Sequence, residues 1–412
     1  MIDYQGYFEG KLQEIKAEGR YRYFAHLERP RGNFPEAIMH KNAAEHPITI
    51  WCSNDYLGMG QHRDVINAMT QALQQYGAGA GGTRNISGTH ILHQKLENAL
   101  AEFHHQEAAL LFSSGYVANQ TSLATLGAIL PNCIIYSDAH NHASIIEGIK
   151  QSKAEKYIFR HNDLLHLEEL LRQSDPERPK IIVFESVYSM EGDIAPIADI
   201  ISLAKQYGAL TYLDEVHAVG LYGDTGAGVA EQLGVMKEID IIEGTLGKAF
   251  GLMGGYIAGS ATLIDVVRSF GSGFIFTTAL PPVLLAGGLA ALDLIKKFHK
   301  ERAFQQQQAE LLRQKLTAAK IPILKNNTHI VPIMVGNADI CWKMAQHLLE
   351  KHHIYIQPIN YPTVPRGTER LRVSVTPHHT VQHVEKLVEA LISVFNECIS
   401  ENTITIEGNK AA

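Results

Sequence analysis

Two short segments carry the residue types best suited to catalysis. Asp214-Glu-Val-His217 puts an acid and a histidine three positions apart at the end of an apolar run, and Thr245-Leu-Gly-Lys-Ala-Phe-Gly251 sets a lysine among glycines after a hydroxyl. The amine of Lys248 can form a Schiff base with an aldehyde. Asp214 can keep a pyridine nitrogen protonated, His217 can donate to a ring hydroxyl, and Thr245 can donate to a phosphate. These four functions describe a pocket for pyridoxal phosphate. A lone loop lysine is ordinarily just a solvated charge, so the reading depends on both segments occurring together. A phosphate-cradling P-loop at Gly247-Lys248 is excluded, because Ile242 stands where its first glycine belongs and Ala249 where it needs Ser or Thr.

Other segments fit around that pocket. Ser113-Ser-Gly-Tyr116 follows an apolar run and opens a helical pattern, so the N–H groups of Gly115 and Tyr116 would face a phosphate; a plain small-residue cap is the bland alternative. Asp138-Ala-His-Asn-His142 carries two histidines at strand spacing, which raises metal binding, but no third and fourth ligand follow at suitable spacing. No metal is expected, and His142 is the candidate to lie flat over the cofactor ring. The glycine-rich run 77–85 follows a helical pattern and lacks dinucleotide-binding spacing. It reads as a loop letting backbone approach a ligand, with Thr83 and Asn85 as polar fingers. Alternation puts Arg370 and Arg372 on one strand face. A buried arginine requires an anion, so Arg372 is either ion-paired structurally or a carboxylate clamp.

Positioning these groups requires a large α/β framework. Runs within 109–112, 134–136, 181–184, 212–213, 241–242 and 256–258 read as short buried strands, with helices between them such as 195–207. That alternation predicts a mostly parallel sheet covered on both faces, with ligands beyond the carboxyl ends of its strands. Ser137-Asp138, Glu185-Ser186, Asp214-Glu215 and Thr245 all fall at such ends. A smaller α/β pattern follows, with strands near 329–335, 354–356 and 371–375. The expected organisation is an N-terminal, largely helix-like segment over 1–48, a large domain over 49–290, a smaller one over 291–400, and a flexible tail over 401–412.

The 412 residues are 45% hydrophobic and 19% charged, with a net charge of −7, which offers no concentrated basic surface for nucleic acid or an anionic membrane. The apolar run 283–292 is too short to span a bilayer. Four scattered cysteines and no leader pattern make a cytoplasmic protein the expectation.

Further segments carry a family resemblance. Glu18-Gly-Arg-Tyr-Arg22, Trp51-Cys-Ser-Asn-Asp-Tyr-Leu-Gly58, Gly81-Gly-Thr-Arg-Asn-Ile-Ser-Gly88, Asn141-His-Ala-Ser-Ile-Ile-Glu-Gly148, Glu185-Ser-Val-Tyr-Ser-Met190 and Thr363-Val-Pro-Arg-Gly-Thr-Glu-Arg-Leu-Arg372 resemble the α-oxoamine synthases. These are fold-type I pyridoxal-phosphate enzymes, aspartate-aminotransferase-like in fold, that condense an amino acid with an acyl-CoA. The match runs from about residue 21 to about 391. It implies Lys248 as Schiff-base lysine and base, Asp214 at the ring nitrogen, His217 at the ring hydroxyl and His142 stacked on the ring. Gly115, Tyr116 and Thr245 would serve the phosphate, joined by Thr277 from a partner subunit, and Ser189 would position ring and acyl substrate.

Arg372 with Asn54 would hold the carboxylate of glycine. Arg22 and Thr83 with Thr363 would hold the distal carboxylate of succinyl-CoA, and Ser137 and Lys156 would contact coenzyme A. Arg22 and Thr83-Arg-Asn85 separate this chain from relatives using other acyl donors. The resemblance therefore implies a homodimer with shared active sites that joins glycine to succinyl-CoA with loss of carbon dioxide. The alternatives are a relative with another acyl donor, an aminotransferase, and a non-catalytic protein of the same fold.

Overall fold

The computed structural model describes residues 2–408, which separate into two compact units. The first comprises Asn54–Ser189 and Asp193–Ala303; the second comprises the described parts of 1–53 and 304–412 together with Met190–Gly192.

The first unit is built on seven strands: β1 (Ala108–Phe112), β2 (Ile134–Asp138), β3 (Glu155–Phe159), β4 (Lys180–Glu185), β5 (Ala209–Asp214), β6 (Ile241–Thr245) and β7 (Gly255–Gly259). Their order is β1-β7-β6-β5-β4-β2-β3. The ladders are parallel from β6 to β3, and β7 runs antiparallel to both β6 and β1. All residues of β2, β4, β6 and β7 are buried, as expected where helices cover both sheet faces. Ile135, Ile181, Val183, Tyr212, Ile241 and Ile257 form one core face. The six strands expected from apolar runs are present. No apolar run predicts β3, because it is an edge strand with four of its five residues exposed.

The strand register aligns three acids. Glu185 pairs with Asp214, and Asp214 pairs with Glu243, so three carboxyl side chains stand in one row across β4, β5 and β6.

The second unit contains two sheets. Strands His26–Glu28, Glu36–Lys41, Ala44–Ile50 and Ile354–Tyr355 form one; Ile330–Met334, Arg370–Ser374 and Pro358–Ile359 form the other. A core including Trp51, Leu312, Val331, Ile333, Leu348, Val373 and Leu387 lies within this unit. The helix-like reading of 1–48 holds only for Tyr4–Ala17. From residue 26 the chain forms three strands, and in the second and third Ala37 and Met39, and Ile48 and Ile50, alternate into a separate core. Asn42 and Ala43, both at positive φ, make the two-residue turn between those strands, and Asn is a residue that tolerates this backbone.

Arg370 and Arg372 are both buried on one strand face. Within its unit Arg370 pairs with Glu191 at 3.3 Å and donates to Met190 O at 3.1 Å. The last helix runs Val381–Gly408, and residues 409–412 of the expected tail lie outside the described residues. Among the described residues no helix is long and apolar enough to cross a membrane.

Candidate active site

The catalytic candidates of the first unit meet at the carboxyl ends of β4, β5 and β6. Asp214, the last residue of β5, is only 2% exposed. Its Oδ2 accepts from Asn119 Nδ2 at 2.7 Å and its Oδ1 from the Val216 N–H at 2.9 Å, which leaves acceptor capacity for a further donor. Asn119 is aimed by two more bonds: its Oδ1 accepts from Tyr212 Oη at 2.9 Å, and its Nδ2 reaches Ser144 Oγ at 3.1 Å. Ser144 Oγ in turn lies 2.8 Å from His142 Nδ1.

His142 caps the helix Ala143–Ser152, and its N–H donates to Glu185 Oε1 at 2.6 Å. The ring is open to water, yet the surrounding protein depresses its pKa. Partial removal from water is the first cause, opposed by Asp214 and reinforced by Lys248. A largely neutral imidazole suits a residue that stacks on an aromatic ring. His217 is buried, and Tyr56 Oη lies 2.7 Å from its Nδ1 and 3.2 Å from Asn54 Oδ1.

Lys248 sits half-buried in the loop after β6. The loop is pinned by Leu246 N–H to Gly254 O at 3.0 Å and Gly251 N–H to Lys248 O at 2.8 Å. Gly251 has φ +69°, and a Cβ there would lie 2.0 Å from the Gly60 nitrogen, so only glycine permits this approach.

Ser114 caps the helix Gly115–Ile129, accepting from the Val117 N–H at 3.2 Å, and the preceding N–H groups of Gly115 and Tyr116 have no intrahelical acceptor. The hydroxyl of Thr245 bridges Gly254 O at 2.9 Å and Gly247 N–H at 3.0 Å. A Cβ on Gly115 would come 3.0 Å from Glu243 Oε1 and 3.3 Å from Thr245, closing the space beside this helix terminus. An amine, a buried carboxylate with spare acceptor capacity and a helix N-terminus kept open by glycine fit pyridoxal phosphate.

Sequence reasoning does not single out the supporting groups Asn119, Ser144, Tyr56 and Glu243, nor a role for Glu185 or Glu215 beyond their place at strand ends. Burial raises the pKa of all three glutamates, with Glu215 brought to about 7 against the bonds it accepts from Ser186 and the N–H groups of Ala230 and Val229.

The remaining candidates fall in separate places. Thr83 Oγ1 donates to Asn85 Oδ1 at 2.7 Å, and Thr83 is bridged to Thr278, the neighbour of half-buried Thr277. Arg84 between them is structural: it grips Glu97 with two bonds of 2.8 and 3.0 Å. Ser137 is buried and accepts from Asn141 Nδ2 at 2.9 Å, whereas Lys156 is exposed on β3. Ser189 is half-buried after β4. Among the described residues no group of three or more His, Cys, Asp or Glu side chains is arranged as metal ligands. Instead His140 stacks on His161 at 4.0 Å, and His161 is clamped between Asp138 at 2.9 Å and Asp193 at 2.8 Å. In the second unit, Arg22 Nη2 lies 3.5 Å from Thr363 Oγ1 in a cavity of about 790 Å³ also lined by Tyr23 and Trp342. Arg372, elsewhere in that unit, donates to Ser374 Oγ at 3.1 Å.

A mixed seven-stranded sheet with a lysine, an acid and a histidine at its strand ends defines a pyridoxal-phosphate-dependent enzyme of fold type I, and the aminotransferase class I and II family profile matches residues 46–391. The chain is 54% identical to 5-aminolevulinate synthase of Rhizobium meliloti (strain 1021), over 96% of its own length and 98% of the relative's. It is 52% identical to 5-aminolevulinate synthase of Bradyrhizobium diazoefficiens, over 96% and 97%. The solved serine palmitoyltransferase of Sphingomonas wittichii is 30% identical and superposes with a TM-score of 0.89 over 96% of this chain and 99% of that one. The chain belongs to the 5-aminolevulinate synthase family and is a pyridoxal-phosphate-dependent acyltransferase.

Proposed function

We propose that the enzyme joins glycine to succinyl-CoA, giving 5-aminolevulinate, CoA and carbon dioxide, the entry step to tetrapyrroles, as a cytoplasmic homodimer with shared active sites. The observation that carries the acyl assignment is Arg22 beside Thr363 in a cavity large enough for an acyl chain. A guanidinium with a hydroxyl beside it suits a distal carboxylate.

Pyridoxal phosphate, when bound, supplies an electron sink for the electron pair released at the α-carbon of glycine. Lys248 would hold the aldehyde of the bound cofactor, and its free amine would be placed to take a proton from that carbon. Asp214, oriented by Asn119, would serve the ring nitrogen. His142 would wall the ring face, and His217, held by Tyr56, would serve the ring hydroxyl. Gly115, Tyr116 and Thr245 would receive the phosphate, and Ser189 would help position the ring. Arg372 is assigned the glycine carboxylate. Ser137 and Lys156 are assigned to coenzyme A, for which the exposure of Lys156 is favourable and the burial of Ser137 is not. The dimer is supported by Ile86 and Phe276, 77% and 81% exposed beside Thr83, Asn85 and Thr277, an apolar surface of the kind that interfaces cover.

The test is Arg22→Leu assayed with glycine against succinyl-CoA and acetyl-CoA. Loss of a charged hydrogen bond of about 1.5–3 kcal/mol lowers kcat/KM for succinyl-CoA by roughly 10- to 100-fold and leaves acetyl-CoA little changed. Unchanged turnover of succinyl-CoA removes the acyl assignment.

A further inference from the structure

The condensation uses only Asp214 from the row of carboxyls across β4, β5 and β6; Glu185 accepts from the His142 N–H, which leaves Glu243 without a role. Glu243 is fully buried, stands in register with Asp214, and neither of its carboxyl oxygens meets a hydrogen-bond donor among the described residues. A buried carboxylate without donors is a costly arrangement that proteins avoid. The charged and titratable groups around it are Asp214 and Glu185 on the neighbouring strands, Lys248 in the following loop, and the phenols of Tyr212 and Tyr256. Asp214 differs from it in having two N–H donors of its own. Two facing carboxyls in a dry sheet share one negative charge, and the charge settles where the donors are.

We propose that Glu243 is a proton-bearing acid whose hydroxyl donates to the Asp214 carboxylate, making it a positioning residue for the charge that Asp214 presents to the cofactor. The coupling to the cofactor rests on the assignment of Asp214 to the ring nitrogen. The proton on Glu243 does not, because burial and the neighbouring acid demand it in the bare protein as well. Burial, then the charge of Asp214, push the Glu243 carboxyl well above the usual carboxylate range, and Lys248 opposes them without reversing the direction. The absent side chain of Gly115 completes the arrangement, since a Cβ there would crowd Glu243 Oε1.

Infrared difference spectra of wild type minus Glu243→Gln, taken near neutral pH with and without cofactor, test the proton directly. A protonated-carboxyl carbonyl band that disappears in the variant is expected in both samples. If only ionised-carboxylate bands differ, the proposal is overturned. Cofactor affinity, measured by titrating pyridoxal phosphate into the apo-protein, tests the coupling. Glu243→Gln retains a neutral donor and stays within about 3-fold of wild type, whereas Glu243→Leu loses roughly 10-fold and shifts the pH midpoint of the cofactor's visible absorbance by about one unit. Equal losses in both variants overturn the donor role, and if Glu243→Leu does not fold, the infrared spectra and Glu243→Gln still decide. Asp214→Asn separates the two layers: intact cofactor affinity in that variant overturns the coupling while leaving the infrared result in place.

Discussion

Asn119 Nδ2 stands 2.7 Å from Asp214 Oδ2 and 3.1 Å from Ser144 Oγ, so one amide ties a strand-end acid to the helix that His142 caps. Asn119 lies inside the helix Gly115–Ile129, whose first turn is proposed to receive the phosphate. One side chain therefore links three elements of the site. Asn119→Ala is expected to destabilise the fold by about 1–3 kcal/mol, the usual result of stripping donors from a buried charged acceptor. Pyridoxal-phosphate affinity falls with it, and urea denaturation with cofactor titration measures both.

Tyr56 offers a contrasting case, since its hydroxyl meets His217 Nδ1 at 2.7 Å while its ring is packed in the core. Tyr56→Phe keeps the packing and removes the bond. A stability change within about 1.5 kcal/mol is expected, with kcat reduced by roughly an order of magnitude because the imidazole loses its orientation. A variant with full kcat would show that His217 needs no such partner.

Gly115→Ala adds a methyl group 3.0 Å from Glu243 Oε1 and 3.3 Å from Thr245. Its φ lies outside the left-handed region, so the damage is steric and falls on Glu243 and Thr245. Overpacking of this kind costs about 1–3 kcal/mol. The expected signature is a rise in the dissociation constant for pyridoxal phosphate, larger than the change in the melting temperature of the apo-protein implies.

The clamp at His161 gives a pH prediction. Burial works against its cation, but hydrogen bonds to Asp138 and then Asp193 overcome that and raise its pKa from 6.5 to about 10. A raised value in the folded state means that the stabilisation is complete below the unfolded value and lost as pH climbs through about 10. At the acid end it fades as pH falls through the Asp138 value, which burial would raise but the bonds from His161 and the N–H groups of Asn162 and His140 hold below the usual range. His161→Gln is therefore expected to lower unfolding free energy by on the order of 3 kcal/mol near pH 6 and by much less above about pH 10.5, measured by urea denaturation at both.

The sequence is most readable where function and strand ends coincide. Asp214, Thr245 and Lys248 announce themselves because each follows a short run of β-branched and aromatic residues, where a parallel sheet leaves its open end. Asn119, Ser144 and Tyr56 give no such signal. They sit in a helix interior, a helix first turn and a loop, where polar residues are common and only distance reveals their partners. Glu243 is concealed differently: a single acid inside an apolar run looks like a flaw in a strand until the register sets it beside Asp214. The hairpin Glu36–Lys41/Ala44–Ile50 reads as largely helix-like because polar residues and Pro47 interrupt its apolar positions, masking an alternation that becomes plain once Ala37, Met39, Ile48 and Ile50 are seen packed together.

The cavity shared by Arg22 and Thr363 is lined wholly by the unit that lacks the lysine. On the proposed assignment of Arg22, acyl preference and reaction type are written in blocks that each pack around a core of their own. An engineer seeking a neutral or longer acyl donor accordingly has a compact target, and can redraw it without retuning the electronics around Lys248.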